Sequence, residues 1–228
     1  MLQHVYERAS QARYLTSTII ATDDERVFQV ARSFGAQVRM TRPDHPSGTD
    51  RVAEVASNGD AEIIVNIQGD EPLIDPAAID AAILPLNHDP DVVMATLSKR
   101  IEDPREIADP NVVKVVSNHA GDAIYFSRCP IPYDRDAANG GAASRSPCFK
   151  HIGLYVYRRN FLLQYSTLPV GPLEQSERLE QLRALENGYA IRVVETEYES
   201  LGVDTPQDLE HVSRLFEASF TQGVQSHG

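Results

Sequence analysis

This sequence predicts an α/β fold with a mostly parallel sheet covered on both faces, and three observations carry that expectation. Short β-branched runs alternate with segments of helical spacing through the first hundred residues, the order that builds parallel sheets. One of those runs, residues 62–67, is apolar almost throughout, as a strand buried on both faces must be. The 228 residues are 42% hydrophobic and 24% charged, which gives one domain a full core and excludes disorder as the state of its main body.

Along the chain, residues 1–9 read as a helix with apolar positions 2, 5, 6 and 9 on one face. No strand precedes it, so the chain is expected to begin inside a fold. Residues 17–22 form a β-branched strand. Helical spacing over 24–34 (Val27, Val30, Ala31, Phe34) stops at Gly35, a suitable left-handed cap. A strand over 36–40, a helix over 48–58 and the strand at 62–67 follow. Asp75 as cap and Pro76 in the first turn start another helix, and 92–97 is the next strand. The rhythm then changes. Runs at 112–117 and 123–127 flank Asn118-His119-Ala120-Gly121-Asp122, a hairpin pattern, and an irregular stretch covers 129–150. Residues 151–157 alternate like a strand, with His151, Gly153, Tyr155 and Tyr157 on one side and Ile152, Leu154 and Val156 on the other. A helix is expected over 173–187 ending at Gly188, a strand over 191–196 and a closing helix over 206–220. One domain spanning 1–228 is expected, with a β-rich subdomain near 99–170.

Acidic residues outnumber basic ones, 33 to 21, for a formal charge of −12. That balance argues against nucleic acid or an anionic lipid surface as partner, since both require a basic footprint. No apolar run reaches the ~18 residues of a spanning helix, so no membrane insertion is expected. The N-terminus lacks the basic, apolar and small-residue segments of a leader. Cys129 and Cys148 form neither a C-x-x-C pair nor a disulfide framework, which suits the reducing cytoplasm.

Ligands of open α/β sheets bind at the carboxyl ends of strands, and the strand at 62–67 runs into Gln68-Gly69-Asp70-Glu71-Pro72. Gly69 permits close backbone approach. Asp70 and Glu71 bring carboxylates to the expected crevice, where such groups hold Mg²⁺ together with phosphate oxygens and water; the same residues fit a solvated turn equally well. Asp204 reads as the cap of the closing helix, or as the distant second carboxylate of a metal shared with Asp70. Residues 41–51 are a polar loop running into a helix. Ser47 and Thr49 can cap it, its exposed amides favour an anion, and Arg42 and Arg51 can add charge-assisted bonds. Arg128 and His151 stand at opposite ends of one long loop, so both can face a common pocket. The polar, aromatic face of the 151–157 strand suits a sugar, or a half-exposed strand. In the 173–187 helix, Glu174–Arg178 and Glu180–Arg183 have the ion-pair spacing of a solvated face beside a stripe at Leu179, Leu182 and Leu185. Neither cysteine has an activating partner in sequence, and no G-x-S-x-G or H-E-x-x-H segment points to nucleophilic catalysis.

Six segments in this order resemble the 3-deoxy-manno-octulosonate (KDO) cytidylyltransferases, also called CMP-KDO synthetases: HPSGTDR at 45–51, NIQGDEP at 66–72, YFSRCPIPYDR at 125–135, KHIGLYVYR at 150–158, LEQLRALENG at 179–188 and GVDTPQDLE at 202–210. The resemblance runs from residue 1 to about 216 and implies a Rossmann-like nucleotidyltransferase whose β-rich insertion binds sugar and mediates dimerisation. It implies attack of the anomeric hydroxyl of KDO on the α-phosphate of CTP, giving CMP-KDO and pyrophosphate for lipopolysaccharide assembly. By that resemblance Asp70 and Asp204 hold Mg²⁺, and Gln68 lies beside nucleotide and sugar. Ser47, Gly48, Thr49 and Arg51 match the nucleotide-side loop. Arg128, His151, Tyr155, Glu180 and Gln181 match the KDO pocket, with Arg128 and His151 suited to the carboxylate and Glu180 and Gln181 to hydroxyls. A homodimer is implied. The family's opening strand and its basic P-A-R-x-x-S-x-R-L-x-x-K loop are not matched, so an inactive remnant that binds sugar acid or a partner is the alternative. A CMP-synthetase for another acidic sugar is a third reading.

Overall fold

The computed structural model describes residues 1–135, 147–203 and 205–225, with the side chains of the final helix described through 216. Helix α1 (Leu2–Ala9) leads into β1 (Ile19–Thr22), α2 (Glu25–Ser33), β2 (Gln37–Met40), α3 (Gly48–Ser57) and β3 (Ile63–Asn66). Next come α4 (Pro76–His88), β4 (Met94–Arg100), α5 (Pro104–Ala108), β5 (Lys114–Ser117), β6 (Ala123–Ser127) and the ten-residue β7 (Phe149–Arg158). Helices α6 (Arg159–Tyr165), α7 (Pro172–Glu177) and α8 (Leu182–Glu186), strand β8 (Arg192–Glu195) and helix α9 (Pro206–Gln225) complete the order.

Local chemistry accounts for most boundaries. Asp24, Ser47, Asp75 and Asp103 each precede a helix and accept a backbone N–H of its first turn, satisfying donors that the helix leaves unpaired. After α2 the chain turns at Gly35, whose φ of +79° lies in the left-handed region that side chains disfavour.

The α/β architecture agrees with the sequence; the sheet does not. Strands β1 and β2 form a parallel pair of their own. The larger sheet runs β6-β5-β7-β4-β8, with β3 also on β7. Only β4–β8 is parallel there, while β3–β7, β4–β7, β5–β6 and β5–β7 are antiparallel. The sheet is therefore mixed rather than mostly parallel, because β7 enters antiparallel between strands that helical crossovers separate.

Strand β7 organises the site. Along one edge it pairs with β4. On the other, β5 covers Phe149 and Lys150 while β3 covers Tyr155 to Arg158. Among the described residues, no strand covers that edge between the two. Its register with β4 also slips: Thr96 faces Tyr155 and Leu97 faces Ile152, so Gly153 and Leu154 bulge. The alternation read from sequence holds. Ile152, Leu154 and Val156 pack with α1 and α4, whereas Tyr157 belongs with Phe126, Phe161 and Tyr165 on the opposite face.

The helix expected over 173–187 is two helices. Arg178 takes φ 55° and ψ 47°, ending α7, and α8 begins only at Leu182. The predicted pairs Glu174–Arg178 and Glu180–Arg183 are replaced by one buried pair across the break: Arg183 Nε and Nη2 donate to Glu174 at 2.9 and 2.6 Å. Burial of Leu179 and Leu182, which a single straight helix would not give together with this ion pair, offsets the break.

Candidate functional site

The site spans the carboxyl end of β3, the start of α3 and the uncovered edge of β7. At the start of α3, Ser47 is the cap: its Oγ accepts the Asp50 N–H at 3.2 Å and donates to the Asp50 carboxylate at 2.8 Å. Gly48 is exposed, and nothing lies within 4 Å of where a Cβ would stand, which leaves the helix start open to a ligand. Thr49 does not cap. It is buried and donates to Glu180 Oε2 at 3.1 Å, tying this loop to the α7–α8 turn. Arg51 reaches the other way, to Thr41 Oγ1 at 2.5 Å and Asp23 at 3.1 Å.

Beyond β3, Gln68 is exposed, and among the described residues no group hydrogen-bonds or ion-pairs the Asp70 carboxylate. The backbone draws a second loop alongside: Val203 N–H donates to the Asp70 carbonyl at 3.0 Å. Asp204, the next residue, lies outside the described residues. Thr205 caps α9 in a reciprocal pair with Asp208, at 2.8 and 3.2 Å, so the cap assigned to Asp204 from sequence belongs to its neighbour. Glu71 corrects a further expectation. Instead of presenting its carboxylate to the crevice it is buried, accepting from Tyr198 Oη at 3.1 Å and Ser200 Oγ at 2.8 Å. Desolvation, and secondarily the neighbouring Asp70 charge, raise its pKa above the ordinary carboxylate value.

On the sugar-facing side expected from sequence, rings line β7. His151 meets Phe126 edge-on at 5.0 Å and Tyr155 at 5.4 Å; Tyr155, Tyr157, Phe161 and Tyr165 continue the row. Tyr165 Oη donates to the Glu180 carbonyl at 2.5 Å, and the Arg183 guanidinium stacks on its ring at 5.1 Å. Gln181 is 3% exposed and its Nε2 has no hydrogen-bond partner among the described residues. Arg128 is anchored by its backbone to Glu177 Oε2 at 2.9 Å, by Nε to the Glu177 carbonyl at 2.8 Å and by Nη1 to the Pro110 carbonyl at 3.0 Å. Its Nη2 has no partner among the described residues. Beneath, buried Lys114 donates to the carbonyls of Asp109 and Val112, and desolvation lowers its pKa.

Desolvation lowers the pKa of His151 to about 3, so the imidazole is uncharged near neutrality. An uncharged ring meets an anion by hydrogen bonding alone, whereas the Arg128 guanidinium brings a charge. Sequence reasoning missed Thr96, Glu177 and Tyr165. Thr96 is a single hydroxyl in an otherwise apolar stretch of β4, and no spacing rule singles it out; Glu177 reads in sequence as one more solvated helix charge.

The fold is shared with solved nucleotidyltransferase structures. Over 96% of this chain and 88% of the other, it superposes at TM-score 0.89 and 45% identity on CMP:2-keto-3-deoxy-manno-octonic acid synthetase complexed with CTP. A likeness of fold alone, TM-score 0.61 at 11% identity, links it to a 4-diphosphocytidyl-2C-methyl-D-erythritol synthase from Anaerococcus prevotii over 95% of this chain and 88% of that one. This is an enzyme of the α/β nucleotidyltransferase class. Residues 1–196 match the cytidylyltransferase family, and the chain belongs to that family. A curated relative from Solibacter usitatus, a 3-deoxy-manno-octulosonate cytidylyltransferase, is 80% identical over 224 residues, covering 98% of this chain and 87% of that protein. One of the same name from Geobacter sulfurreducens is 57% identical over 93% of this chain and 87% of its own.

Proposed function

We propose that this chain transfers CMP from CTP to KDO, releasing pyrophosphate, in the cytoplasmic assembly of lipopolysaccharide precursor. The observation that carries the reading is how the expected site segments are tied together: β3, which leads into the Asp70 loop, pairs with β7 up to Tyr155, and Thr49 at the start of α3 bonds Glu180 beside the buried Gln181. The sugar's anomeric oxygen bonds to the α-phosphorus as the bond to the bridging oxygen of pyrophosphate breaks. Ser47, Gly48, Thr49, Arg51 and Gln68 hold the nucleotide, the open start of α3 offering N–H donors to its polar groups. Arg128 Nη2 takes the sugar carboxylate, and Glu180 and Gln181 take hydroxyls, a partner that the buried Gln181 Nε2 otherwise lacks. No metal cluster is evident among the described residues. The donors nonetheless fit a hard cation: the Asp70 carboxylate has no partner among the described residues, and Val203, the neighbour of Asp204 in sequence, bonds the Asp70 backbone. Bound there, Mg²⁺ supplies charge neutralisation to the phosphates.

Two finer inferences accompany this reading. Strands β1 and β3 each keep one edge unpaired among the described residues, and α3 packs against both. That geometry fits a further strand between them, carrying the basic loop that the family resemblance leaves unmatched. Exposed Ile124 on edge strand β6 and exposed Tyr133 suit a homodimer built through the 99–170 subdomain.

The test is pyrophosphate release from CTP, KDO and Mg²⁺, with sialic acid as competitor. Release dependent on KDO, in this chain or in one extended by the basic strand and loop, supports the reading. Absence of release from both, with both folded, overturns it in favour of a binding remnant; preference for sialic acid overturns the choice of sugar.

A further inference from the structure

Thr96 stands at the only place where β7 slips against β4, and its hydroxyl has three neighbours. Oγ1 lies 2.8 Å from the Leu154 carbonyl, 3.1 Å from the Ile152 carbonyl and 2.9 Å from His151 Nε2. A hydroxyl carries one hydrogen and two lone pairs. Donating that hydrogen to the imidazole would leave two carbonyl oxygens facing a hydroxyl oxygen with no proton between them. Thr96 is wholly buried, so no water relieves such a contact. The arrangement that avoids this sends the Thr96 hydrogen to a bulge carbonyl, that of Leu154 being the nearer, and has Thr96 Oγ1 accept a hydrogen from Nε2. The other ring nitrogen, Nδ1, is then bare. Among the described residues nothing hydrogen-bonds it, and His151 keeps part of its surface exposed.

We propose that Thr96 is a positioning residue that fixes the orientation and tautomer of His151, so that the ring offers the sugar a bare Nδ1 acceptor and reads a hydroxyl rather than the carboxylate. This rests on the reading of His151 as a sugar-facing residue. The Phe126 and Tyr155 rings on either side limit rotation of the imidazole, and the Gly153–Leu154 bulge supplies the carbonyl that orients the threonine hydrogen. Specificity follows from the chemistry of an acceptor in a desolvated site. A ligand that places a hydroxyl at Nδ1 is matched, and one that places a carboxylate or ether oxygen there meets lone pair against lone pair.

The experiment is ¹⁵N spectroscopy of the full chain labelled at histidine, free and titrated with KDO, for the parent protein, Thr96→Ser and Thr96→Val. The free parent is expected to show His151 protonated at Nε2 and bare at Nδ1, with Thr96→Ser alike and Thr96→Val losing the single tautomer. KDO is expected to move the Nδ1 resonance while Nε2 stays in place, and Thr96→Val to weaken KDO binding about tenfold without changing that of CTP. A free protein protonated at Nδ1, or a ring that takes a second proton when KDO binds, overturns the proposal; the latter outcome restores a carboxylate contact. Neither resonance moving while KDO binds overturns the sugar-facing placement of His151 itself, and the free-state spectra still decide the tautomer. Thr96→Ser guards against misfolding of the valine variant: loss of the tautomer in serine as well assigns Thr96 a packing role alone.

Discussion

The two ends of the cleft are built on opposite principles. At the carboxyl end of β3 the structure leaves a charge unanswered: Asp70 is partly exposed and has no partner among the described residues. Along β7 most charge is answered internally: His151 is neutral, the tyrosines are hydrogen-bonded or packed ring on ring, and the buried pair Glu174–Arg183 is bidentate and closed. The acidic end is thus poised for something that arrives with positive charge, while the aromatic end is a finished shape that selects by fit. The loss of a residue should show chiefly as lost turnover at the first end and as lost stability or selectivity at the second.

Asp70→Asn tests the first half most severely. With the carboxylate unpaired and the backbone bond to Val203 kept, turnover should fall by ~10³-fold, the scale of removing one electrostatic contact to a reacting phosphate. Stability should stay within about 0.5 kcal/mol, as for partly exposed positions without partners. Pyrophosphate release and urea unfolding measure the two. A large stability loss would mean that Asp70 is structural and the comparison false.

Glu174→Gln probes the other end. Removing one charge strands Arg183, 8% exposed, beside Tyr165, and breaking such a pair costs about 3–5 kcal/mol. Replacing both, as Glu174→Leu with Arg183→Met, should restore most of that, because the desolvation cost disappears with the charges. Urea denaturation of the three variants gives the answer. Equal losses in single and double variants would show that the pair contributes net attraction.

How legible this was in sequence differs between the ends in the same way. The acidic loop could be read because a strand running into Gln68-Gly69-Asp70 obeys a local rule about where ligands meet α/β sheets. The α3 start could be read in part: Ser47 follows capping rules, whereas Thr49, expected to cap as well, turns to Glu180. The ring-bearing face of β7 could be read from its alternation, but the groups that surround it could not, because they depend on long-range geometry. Thr96 matters only where β7 bulges, Glu177 only where Arg128 crosses it, and the break at Arg178 only because Glu174 and Arg183 close on each other. The sheet was misjudged for a related reason. Alternating helices and strands fix the parallel pairs β1–β2 and β4–β8, but β7 arrives from 55 positions beyond its partner Thr96 and brings antiparallel pairing that no local pattern announces.

Acid separates the ends again. His151 has its pKa lowered from 6.5 to about 3. The unfolded chain therefore takes up a proton below pH 6.5 that the folded chain refuses, and stability should fall as pH drops from 6.5 towards 3. The slope is at most about 1.4 kcal/mol per pH unit, a ceiling because the residue keeps some solvent contact. Glu71 acts with the opposite sign. Its folded pKa is raised, so its contribution is present below the ordinary value of 4.5 and is lost as pH rises through the raised one. Urea midpoints from pH 7 to 4 for the parent and His151→Gln should show a flatter profile in the variant; identical profiles would remove His151 as the source of the acid sensitivity.

The smallest expected effect tests the seam where the acidic end is held in place. Glu71 is a buried carboxylate that fastens residues 198–200 to the β3 loop, and three residues further on Val203 donates to the Asp70 carbonyl. Tyr198→Phe removes one of its two hydroxyl donors while keeping the ring. Stability should fall by about 1.5 kcal/mol, the cost of a hydrogen bond lost to a charged acceptor. If the seam serves only the fold, turnover at every Mg²⁺ concentration should match the parent. If it sets the approach of Val203 to Asp70, half-saturation by Mg²⁺ should rise several-fold while turnover at saturation returns to the parental level, and Mn²⁺ binding followed by electron paramagnetic resonance should weaken in parallel. The second outcome is expected, since Val203 bonds the Asp70 carbonyl at 3.0 Å, the Asp70 side chain has no partner among the described residues, and a loop free to drift at one end cannot hold a carboxylate in register at the other.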